Sequence, residues 1–455
     1  MKPRSIRLSP TAALFELSAA SRAVTYTWAP TAAGTPSNWA RRWAPVLAAV
    51  ALLCIGSASS PVSAQNATPA LSLDKEAQAK RKLPTYLTVF NNGYGGDAMP
   101  AEPARFEKLV RTISREGNFN AVMCTYTAER LAICKQHGIR MVVDLLGPEC
   151  HVYKNTKACE ELCIRLRNDP TVAAYHLWSD RLGKQGAGRD RDINNVHQWD
   201  PTHATYSGTY QNEGIGHLAN SDLIAYYDFA WKRGIQKSFP NLLGAWNQAK
   251  LHDNRLGRYV ECDAGLAGKG NFNRSLFTQN TSIACGLRAV LWFIGSGQMN
   301  MQSLEFNEAG KDAAKVNAWL KPLWTEIPKL GLPSAIYATP ITKDFNDRPV
   351  AADGQPMYAP GLESRAIPED FWIQPLGGEF VMGVSKYNGT AEDAAYLANL
   401  NAYAGQDVKL KLTKPLKAAV FSRETGKYAE LRQSAGVLAF KLEPGGAALL
   451  RFGHP

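Results

Sequence analysis

Eight short apolar runs, rich in β-branched or aromatic residues, alternate with amphipathic stretches between residues 85 and 294. Continuous apolar strands alternating with helices are typical of a parallel sheet that helices cover on both faces. Eight such units in about 250 residues favour a (β/α)8 TIM barrel over a doubly wound sheet. No G-x-G-x-x-G opens the first helix and no P-loop occurs, which argues against nucleotide-binding α/β folds. The predicted strands are 85–90, 119–124, 139–146, 172–178, 203–208, 222–227, 241–247 and 289–294.

Amphipathic periodicity predicts helices at 102–116, 126–137, 156–168, 228–238, 274–287 and 308–328. The pattern changes after Gly331, where proline and glycine become frequent and β-rich runs replace helical periodicity. Such runs, separated by turn residues, predict an antiparallel β-sandwich of about 110 residues. We therefore expect the barrel at 83–331 and the sandwich at 332–455. The predicted sandwich strands are 379–387, 395–401, 408–412, 417–422, 437–442 and 443–452.

The N-terminal segment has the features of an export signal. An apolar run at 43–54 follows Arg41 and Arg42, and small residues lead to Val62-Ser63-Ala64. This order is typical of a secretory signal peptide, and the run is short for a membrane span, which is the rival interpretation. We expect residues 1–64 to be signal peptide and leader, 65–82 a linker, and the mature chain to be secreted or periplasmic without a membrane span.

Charge and composition limit the possible partners. The 45% apolar and 20% charged residues are typical of a globular chain. Residues 1–64 hold six of the 51 basic and one of the 40 acidic residues, so the remaining chain carries +6. Because no Lys/Arg cluster or nucleic-acid motif occurs, nucleic acid is not an expected partner. A mildly basic chain tolerates an anionic polysaccharide, and charged loops supply cations for one: Arg181, Lys184, Arg189, Lys269 and Arg274.

Seven cysteines remain beyond residue 64. Cys150, Cys159 and Cys163 are close enough in sequence to pin one loop, and Cys262 and Cys285 could bridge another, as exported proteins permit. The odd number leaves at least one thiol outside an intrachain disulfide. A zinc site is the rival interpretation, but no C-x-x-C or H-x-x-x-H spacing supports it.

The residues at the predicted strand ends are aromatic, amide and carboxylate side chains. Functional residues of such barrels lie at the C-terminal ends of the strands. Aromatic rings stack on sugar rings, while amides and acids bind hydroxyl groups, so this mixture favours a carbohydrate site. The alternative is that the tryptophans fill the barrel–helix interface, because large aromatic residues are mostly core material. The expected sugar-binding residues are Asn91, Tyr94, Trp178, Tyr206, Trp246, Asn247, Gln248 and Trp292.

Several strand ends resemble those of secreted bacterial glycoside-hydrolase-like barrels. Residues 175–181 (YHLWSDR) resemble the family's YxLWDEP end of strand four. Residues 222–228, 245–249 and 286–293 are similar to its DxxxYDxY strand six, its strand-seven end and its GxRGxxxF entry to strand eight. The turn 443–446 (EPGG) is similar to that of its C-terminal sandwich. The resemblance covers roughly residues 83–455 and implies a barrel that cleaves glycosidic bonds.

The chain departs from that family at both catalytic positions. Asp180 stands where the family has its general-acid glutamate, and the predicted strand seven ends in Asn247-Gln248, where retaining members keep a glutamate nucleophile. The second carboxylate must then come from elsewhere, and a more distant one would favour inversion. The candidates are Glu261, Asp263 and Asp228.

These observations predict a secreted glycoside hydrolase acting on a poly- or oligosaccharide, with Asp180 as the acid. The alternative is a non-catalytic carbohydrate-binding barrel, which both departures would explain. No cofactor is expected and no metal-ligand spacing occurs, although a structural calcium stays open. The oligomeric state also stays open.

Overall fold

The computed structural model describes residues 81, 83, 85–92, 99–147, 150–178, 186–210, 220–227, 235–252, 255–261, 271–293, 295–340, 367–389 and 393–453. Only the backbone is described for residues 178, 186–189, 210, 227, 235–240, 252, 261 and 293. Contacts divide the chain into two units, Met1–Leu71 and Ser72–Pro455, and every described residue belongs to the second.

Eight parallel strands form a closed barrel in chain order, and β1 pairs with both β2 and β8. The expected (β/α)8 barrel is therefore confirmed. Its strands are β1 Leu87–Asn91, β2 Ala121–Cys124, β3 Arg140–Asp144, β4 Val172–Trp178, β5 Ala204–Tyr210, β6 Leu223–Tyr227, β7 Arg255–Glu261 and β8 Leu287–Phe293.

Helices follow the strands along the chain. Thr127, Asn155, Asn271 and Asn307 each cap a helix by accepting a backbone N–H with the side chain, which satisfies a donor that the first turn leaves open. The helices are α1 Pro103–Arg115, α2 Ala128–Gln136, α3 Thr156–Leu166, α4 Gly186–Trp199, α5 Ile235–His252, α6 Phe272–Ala284, α7 Gly295–Gln298 and α8 Glu308–Leu320.

The seventh strand was predicted at the wrong place. Residues 241–247 lie inside helix α5, and strand β7 follows that helix at Arg255–Glu261. The buried residues Leu242, Ala245, Trp246 and Ala249 are spaced by three and four, which is the period of one helix face. The composition of a short apolar run does not distinguish a buried strand from a buried helix. At residues 241–247 the helical spacing of the buried side chains indicates the helix.

Apolar side chains on the two faces of the barrel wall form two separate clusters. The inner cluster fills the barrel with residues such as Val89, Met123 and Leu291. The outer cluster packs Phe90, Val122 and their neighbours against the helices. This division follows from the alternation of side chains along each strand. The face on which a strand residue lies therefore shows whether its side chain packs in the barrel interior or against the helices.

The C-terminal region is a sandwich of two antiparallel sheets. One sheet has the order β11-β13-β14-β20-β16-β17 and the other β12-β15-β19-β18. A common apolar core joins them, including Phe380 and Leu450 from the first sheet and Val408 and Leu438 from the second. The strands are β11 Ala335–Ala338, β12 Ile373–Gly377, β13 Phe380–Ser385, β14 Ala394–Asn399, β15 Gln406–Leu412, β16 Lys417–Ser422, β17 Lys427–Glu430, β18 Gln433–Ser434, β19 Val437–Leu442 and β20 Ala447–Gly453; two short strands, β9 Met299–Asn300 and β10 Glu305–Phe306, pair before α8.

The six-stranded sheet packs directly on helix α6 of the barrel. A Cβ atom at Gly383 of β13 would lie 1.9 Å from the carbonyl oxygen of Ala284, so only glycine permits this approach. The Tyr396 hydroxyl donates to Asn280 Oδ1 at 2.8 Å, and Asn280 Nδ2 donates to the Gly445 carbonyl at 2.9 Å. The sandwich therefore buttresses the side of the barrel at α6.

The cysteines form one described disulfide, Cys150–Cys159, which fastens the β3–α3 loop to α3. Cys163 and Cys285 are buried thiols, so neither takes part in the bridges considered from sequence, and Cys262 lies outside the described residues. Among the residues that the structure describes, none of the helices combines the length and apolar character that a bilayer crossing requires.

A buried ion network joins the chain before β1 to the N-terminal ends of β5 and β6. Asp222 Oδ2 accepts from Arg81 Nε at 3.0 Å, from the Thr205 backbone N–H at 2.9 Å, and lies 2.9 Å from His197 Nε2. The Asp222 side chain is fully buried. A buried carboxylate is costly unless such partners satisfy it, so this network fixes the base of the barrel.

We expect Asp222→Asn to lower the free energy of unfolding by about 3 kcal/mol, because it leaves the buried Arg81 guanidinium without its counter-charge. Chemical denaturation measures the loss. The matched control is Glu308→Gln, which breaks the exposed Lys311–Glu308 pair and should leave the midpoint unchanged. Equal midpoints for both variants would contradict the role of the network.

The same network predicts a pH dependence. Burial alone raises the pKa of Asp222, but the hydrogen bond and charge of His197, together with Arg81 and the Thr205 N–H, hold that pKa below its usual range. The stabilisation is therefore complete above the unfolded-state pKa of about 3.9 and is lost as the pH falls through the folded-state pKa. Denaturation series between about pH 2 and pH 7 should show the difference between the natural chain and Asp222→Asn narrowing only at the acidic end.

Candidate active site at the C-terminal end of the barrel

A row of polar and aromatic side chains crosses the barrel interior below its C-terminal rim. His176 Nδ1 lies 2.9 Å from Asp144 Oδ1. The His176 ring centroid lies 4.9 Å from that of Tyr206, and the Tyr206 centroid lies 6.3 Å from that of Tyr259. The row therefore connects strands β3, β4, β5 and β7, and all four side chains are buried.

Strand register brings the Asp144–His176 pair together. Asp144 is the last residue of β3 and lies opposite His176 in the β3–β4 pairing. The same carboxylate accepts the Leu146 backbone N–H at 3.1 Å, and the His176 carbonyl accepts the Leu145 N–H at 2.9 Å. Both ends of the pair are thus tied to the turn that leaves β3, and a buried pair of this kind is tolerated because its polar atoms are satisfied.

The pairing of β4 with β5 is irregular just above this point. His176 lies opposite Tyr206, whereas Trp178 lies opposite Ser207, so the register shifts between His176 and Trp178. Bulges next to active sites re-aim the strand that carries them. The chain that leaves β4 toward residue 180 therefore starts from a bulge whose base is held by His176.

Two predicted sugar-binding residues lie on the inner side of the barrel. Tyr206 belongs to the inner apolar cluster, and in the described part of the chain its buried hydroxyl has no hydrogen-bond partner. Asn91 is the last residue of β1 and is fully buried. It follows Leu87 and Val89, which belong to the inner cluster, at the alternating positions of one strand face. Tyr206 is therefore a wall residue of the interior, and Asn91 lies at the rim end of β1.

Glu261 is the last residue of β7, two residues after Tyr259. Its backbone lies opposite Phe293 at the end of β8. The corrected strand seven therefore ends in a glutamate rather than in Asn247-Gln248. Of the predicted catalytic carboxylates, this is the one whose backbone the structure describes.

Three predicted sugar-binding residues do not lie at a strand end. Trp246, Asn247 and Gln248 belong to helix α5. The Trp246 side chain is buried and its Nε1 donates to the Pro333 carbonyl at 2.9 Å. The premise that these residues end strand seven is wrong, because they belong to a helix, and Trp246 contacts the chain that leads into the sandwich.

Trp292 lies on β8 but packs on the outer side of the barrel wall. Its Nε1 donates to Asn317 Oδ1 of α8 at 3.0 Å. Its ring packs edge-on against that of Phe119, with 6.4 Å between the ring centroids. Strand alternation turns Trp292 toward the helices, so its ring lies in the barrel–helix interface, which is the alternative considered from the sequence.

Most of the remaining predicted residues lie where no side chain is described. Trp178 ends β4 and Arg189 belongs to α4, but in both cases only the backbone is described. Arg274 lies in the first turn of α6 and donates to the Tyr403 hydroxyl of the sandwich at 2.8 Å. The following lie outside the described residues: Tyr94, Asp180, Asp228, Asp263, Arg181, Lys184 and Lys269.

Sequence reasoning missed the Asp144–His176 pair and Tyr259 as members of one interior row. His176 reads as a satisfied core residue when it is taken alone, and only the strand register shows that Asp144 satisfies it. Tyr259 was hidden because β7 was assigned to 241–247. Residues 255–261 (RLGRYVE) do not alternate strictly between apolar and polar side chains, so their periodicity offers no clear signal for this strand.

In the described ranges, no three His, Cys, Asp or Glu side chains come close enough together to hold a metal ion.

Comparison with known proteins gives similarity at the level of the fold. No family model matches the chain, and no curated protein sequence matches it. The solved structures that this chain resembles include glycoside hydrolases. A glycoside hydrolase family 5 protein from Bacteroides vulgatus is 10% identical over 81% of this chain and 90% of its own, with a TM-score of 0.47. A structure described as a glycoside hydrolase is 10% identical over 83% and 98%, with a TM-score of 0.46. An endo-β-1,4-mannanase from Thermotoga petrophila is 9% identical over 79% and 91%, with a TM-score of 0.38.

The unsatisfied Tyr206 hydroxyl leads to a stability prediction. We expect Tyr206→Phe to leave the free energy of unfolding unchanged or to raise it by up to about 1 kcal/mol, because it removes a buried group that lacks a partner. Tyr175→Phe is the matched control on the neighbouring strand. Its hydroxyl donates to Asp200 Oδ2 at 2.8 Å, so its loss should cost about 1–2 kcal/mol. Chemical denaturation compares the two, and equal losses would contradict the geometry.

Proposed function

We propose that this protein is a glycoside hydrolase that cleaves a glycosidic bond in a poly- or oligosaccharide at the C-terminal rim of its barrel. The observation that carries the proposal is the end of strand β7 at Glu261. In the barrels that the sequence resembles, the end of strand seven holds the nucleophilic glutamate. Once β7 is placed at 255–261, the departure at this position disappears.

The catalytic pair in this proposal is Glu261 with Asp180. Asp180 follows the end of β4 by two residues, at the position where the resembled family has its general acid. Strands β4 and β7 end at the same face of a closed parallel barrel, which is the face where such barrels keep their active sites. From sequence alone, Asp263 and Asp228 were also candidates for the second carboxylate. In this proposal Glu261 takes that role.

The reaction follows the retaining scheme. Asp180 protonates the glycosidic oxygen while the Glu261 carboxylate attacks the anomeric carbon, so the bond to the leaving sugar breaks as a glycosyl–enzyme ester forms. Water then attacks the same carbon, Asp180 takes its proton, and the ester bond to Glu261 breaks. Both carboxylates return to their starting protonation states.

The interior row supplies a rigid floor for this chemistry. Asp144 and His176 hold each other and the turn after β3, and Tyr206 and Tyr259 fill the space toward β7. Catalysis depends on placement within a fraction of an ångström, and a packed floor restrains the strand ends above it. Asn91, Tyr94 and Trp178 are the sugar-binding residues that we retain in this proposal, at the ends of β1 and β4.

We also propose that the chain is exported before it acts. The signal-like segment at 43–64 and the Cys150–Cys159 disulfide both support this, because disulfides persist in oxidising compartments. Mass spectrometry of the protein recovered from the host's periplasm or medium tests it: a mature chain should begin near residue 65.

Hydrolysis should depend on both carboxylates. We expect Glu261→Gln and Asp180→Asn each to lower kcat by a factor on the order of 10²–10⁴, as the loss of a positioned acid, base or nucleophile does. Reducing-end release from a polysaccharide panel measures the rate. The control is Gln248→Ala on helix α5, which should keep the rate of the unmodified enzyme. Undiminished release by Glu261→Gln would overturn the assignment.

The configuration of the first product gives a second test. A nucleophilic Glu261 requires two displacements, so the product should keep the anomeric configuration of the substrate. Proton NMR of the fresh hydrolysate distinguishes the two anomers before they equilibrate. A product of inverted configuration would remove Glu261 from the role of nucleophile while leaving the hydrolase itself intact.

A further inference from the structure

A cleft with a volume of about 520 Å³ lies between helices α2 and α3, beside the candidate active site. Small-molecule sites typically have volumes of about 300–1,000 Å³. Its polar lining includes Thr125, Tyr126, Arg130, Asp144, Glu161 and Arg165. Because Asp144 belongs both to this lining and to the interior row, the cleft begins at the rim of the barrel and extends outward from it.

The cleft lies where two packed pairs of helices meet. Helix α2 packs on α1, and α3 packs on α4, whereas the cleft separates α2 from α3. Its outer wall is held in place by the Cys150–Cys159 disulfide, since Cys150 and Ala158 both line the cleft. Thr127 caps α2 and fixes the opposite wall. Both walls are thus fastened independently of any ligand.

The cleft contains a buried cation whose contacts among the described residues are all with neutral groups. Arg130 is 9% exposed, and its guanidinium donates to the Thr125 carbonyl and hydroxyl and to the Pro100 carbonyl. It also lies 5.2 Å from the Phe106 ring centroid. In the described part of the chain no carboxylate forms an ion pair with it. Buried charges in proteins are usually paired, so an anion in the cleft would supply the missing counter-charge.

A second cation lies on the facing wall and contacts an aromatic ring of the lining. The Arg165 guanidinium lies 5.0 Å from the centroid of the Tyr126 ring, and both residues line the cleft. Glu161 lies one helical turn before Arg165 on α3 and is exposed. A ring beside two arginines suits a ligand that has one flat face and a negatively charged edge. Two carboxylates of the lining weaken that preference: the exposed Glu161 and the buried Asp144, which His176 contacts.

We propose that this cleft binds an acidic sugar unit of the substrate chain, with the sugar carboxylate directed toward Arg130 and Arg165 and the sugar ring against Tyr126. The inference rests on the proposed function and narrows it. The substrate is a polysaccharide that carries uronic acid units, one of which binds in this cleft while the chain continues toward the rim of the barrel. The cleft then gives the enzyme selectivity for charge at a point away from the two catalytic carboxylates.

Binding is tested without hydrolysis by using the Glu261→Gln chain. The probes are polygalacturonate, alginate and hyaluronate, with fully methyl-esterified pectin as the uncharged counterpart of the first. Affinity electrophoresis gives Kd for each probe. We expect retention by at least one acidic probe, none by the ester, and a loss of affinity at high salt.

The cleft variants should change Kd in opposite directions. On the acidic probe, Arg165→Gln should weaken binding about tenfold through loss of a charge-assisted contact, and Tyr126→Ala about fivefold through loss of ring contact. Glu161→Gln should strengthen binding about twofold to fivefold, because it removes a like charge. Lys157→Gln, a matched charge change on α3 outside the cleft, should leave Kd unchanged. A merely structural role would not give gains and losses that follow the sign of the charge.

The outcomes separate this inference from the proposed function. Charge-selective binding that follows the variants, in a chain that hydrolyses nothing, would leave the cleft assignment standing and remove the hydrolase. Hydrolysis of polysaccharides with binding that ignores the charge of the probe, or that Arg165→Gln and Glu161→Gln do not change, would overturn the cleft assignment alone. Absence of retention by all three acidic probes would also overturn it.

Discussion

Closure of β1 against β8 is the constraint on which the rest of the structure depends. Parallel strands that pair in chain order all end at one face of the barrel. Residues that are far apart in the sequence therefore become neighbours at that face. Asp144, His176, Tyr206 and Tyr259 come from four strands and form one row only because the ring is closed. The position of every strand end therefore follows from the assignment of eight strands, and one misplaced strand changes the residues assigned to the site.

Buried ionisable side chains stabilise different parts of the structure at the two ends of the barrel. At the N-terminal end, Asp222 is surrounded by donors from Arg81, His197 and Thr205, which suits a carboxylate that stays ionised and holds chain segments together. Toward the C-terminal end, Asp144 and His176 tie a turn and a bulge directly below the rim. The Asp222 network and the Asp144–His176 pair thus both contain an aspartate and a histidine. Their location at opposite ends of the barrel distinguishes them.

Much of the fold could be predicted from the sequence because its periods are clear. Seven of the eight predicted barrel strands overlap the observed ones, and the six predicted sandwich strands overlap β13, β14, β15, β16, β19 and β20. The error in strand seven arose where a buried helix and a buried strand look alike: Leu242, Ala245 and Trp246 are apolar in either structure. Trp292 was misjudged for a different reason, since a residue near a strand end can face inward or outward and only the register fixes which. The Asp144–His176 pair could not be predicted from either residue alone, because it depends on the alignment of two strands that a helix separates in the chain.

The position of strand seven matters more for the chemistry of the site than for the fold. With an amide at the end of the strand, the chain would lack the nucleophile of a retaining enzyme, and the non-catalytic barrel would account well for the departure. With Glu261 at that end, the proposed pair differs from the glutamates of the resembled family in Asp180, whose side chain is shorter by one methylene. The register shift between His176 and Trp178 occurs in the strand that leads to this shorter acid. Bulges next to active sites change the direction of the strand that carries them, and this one occurs in the last residues of β4, two residues before the Asp180 of the proposed pair.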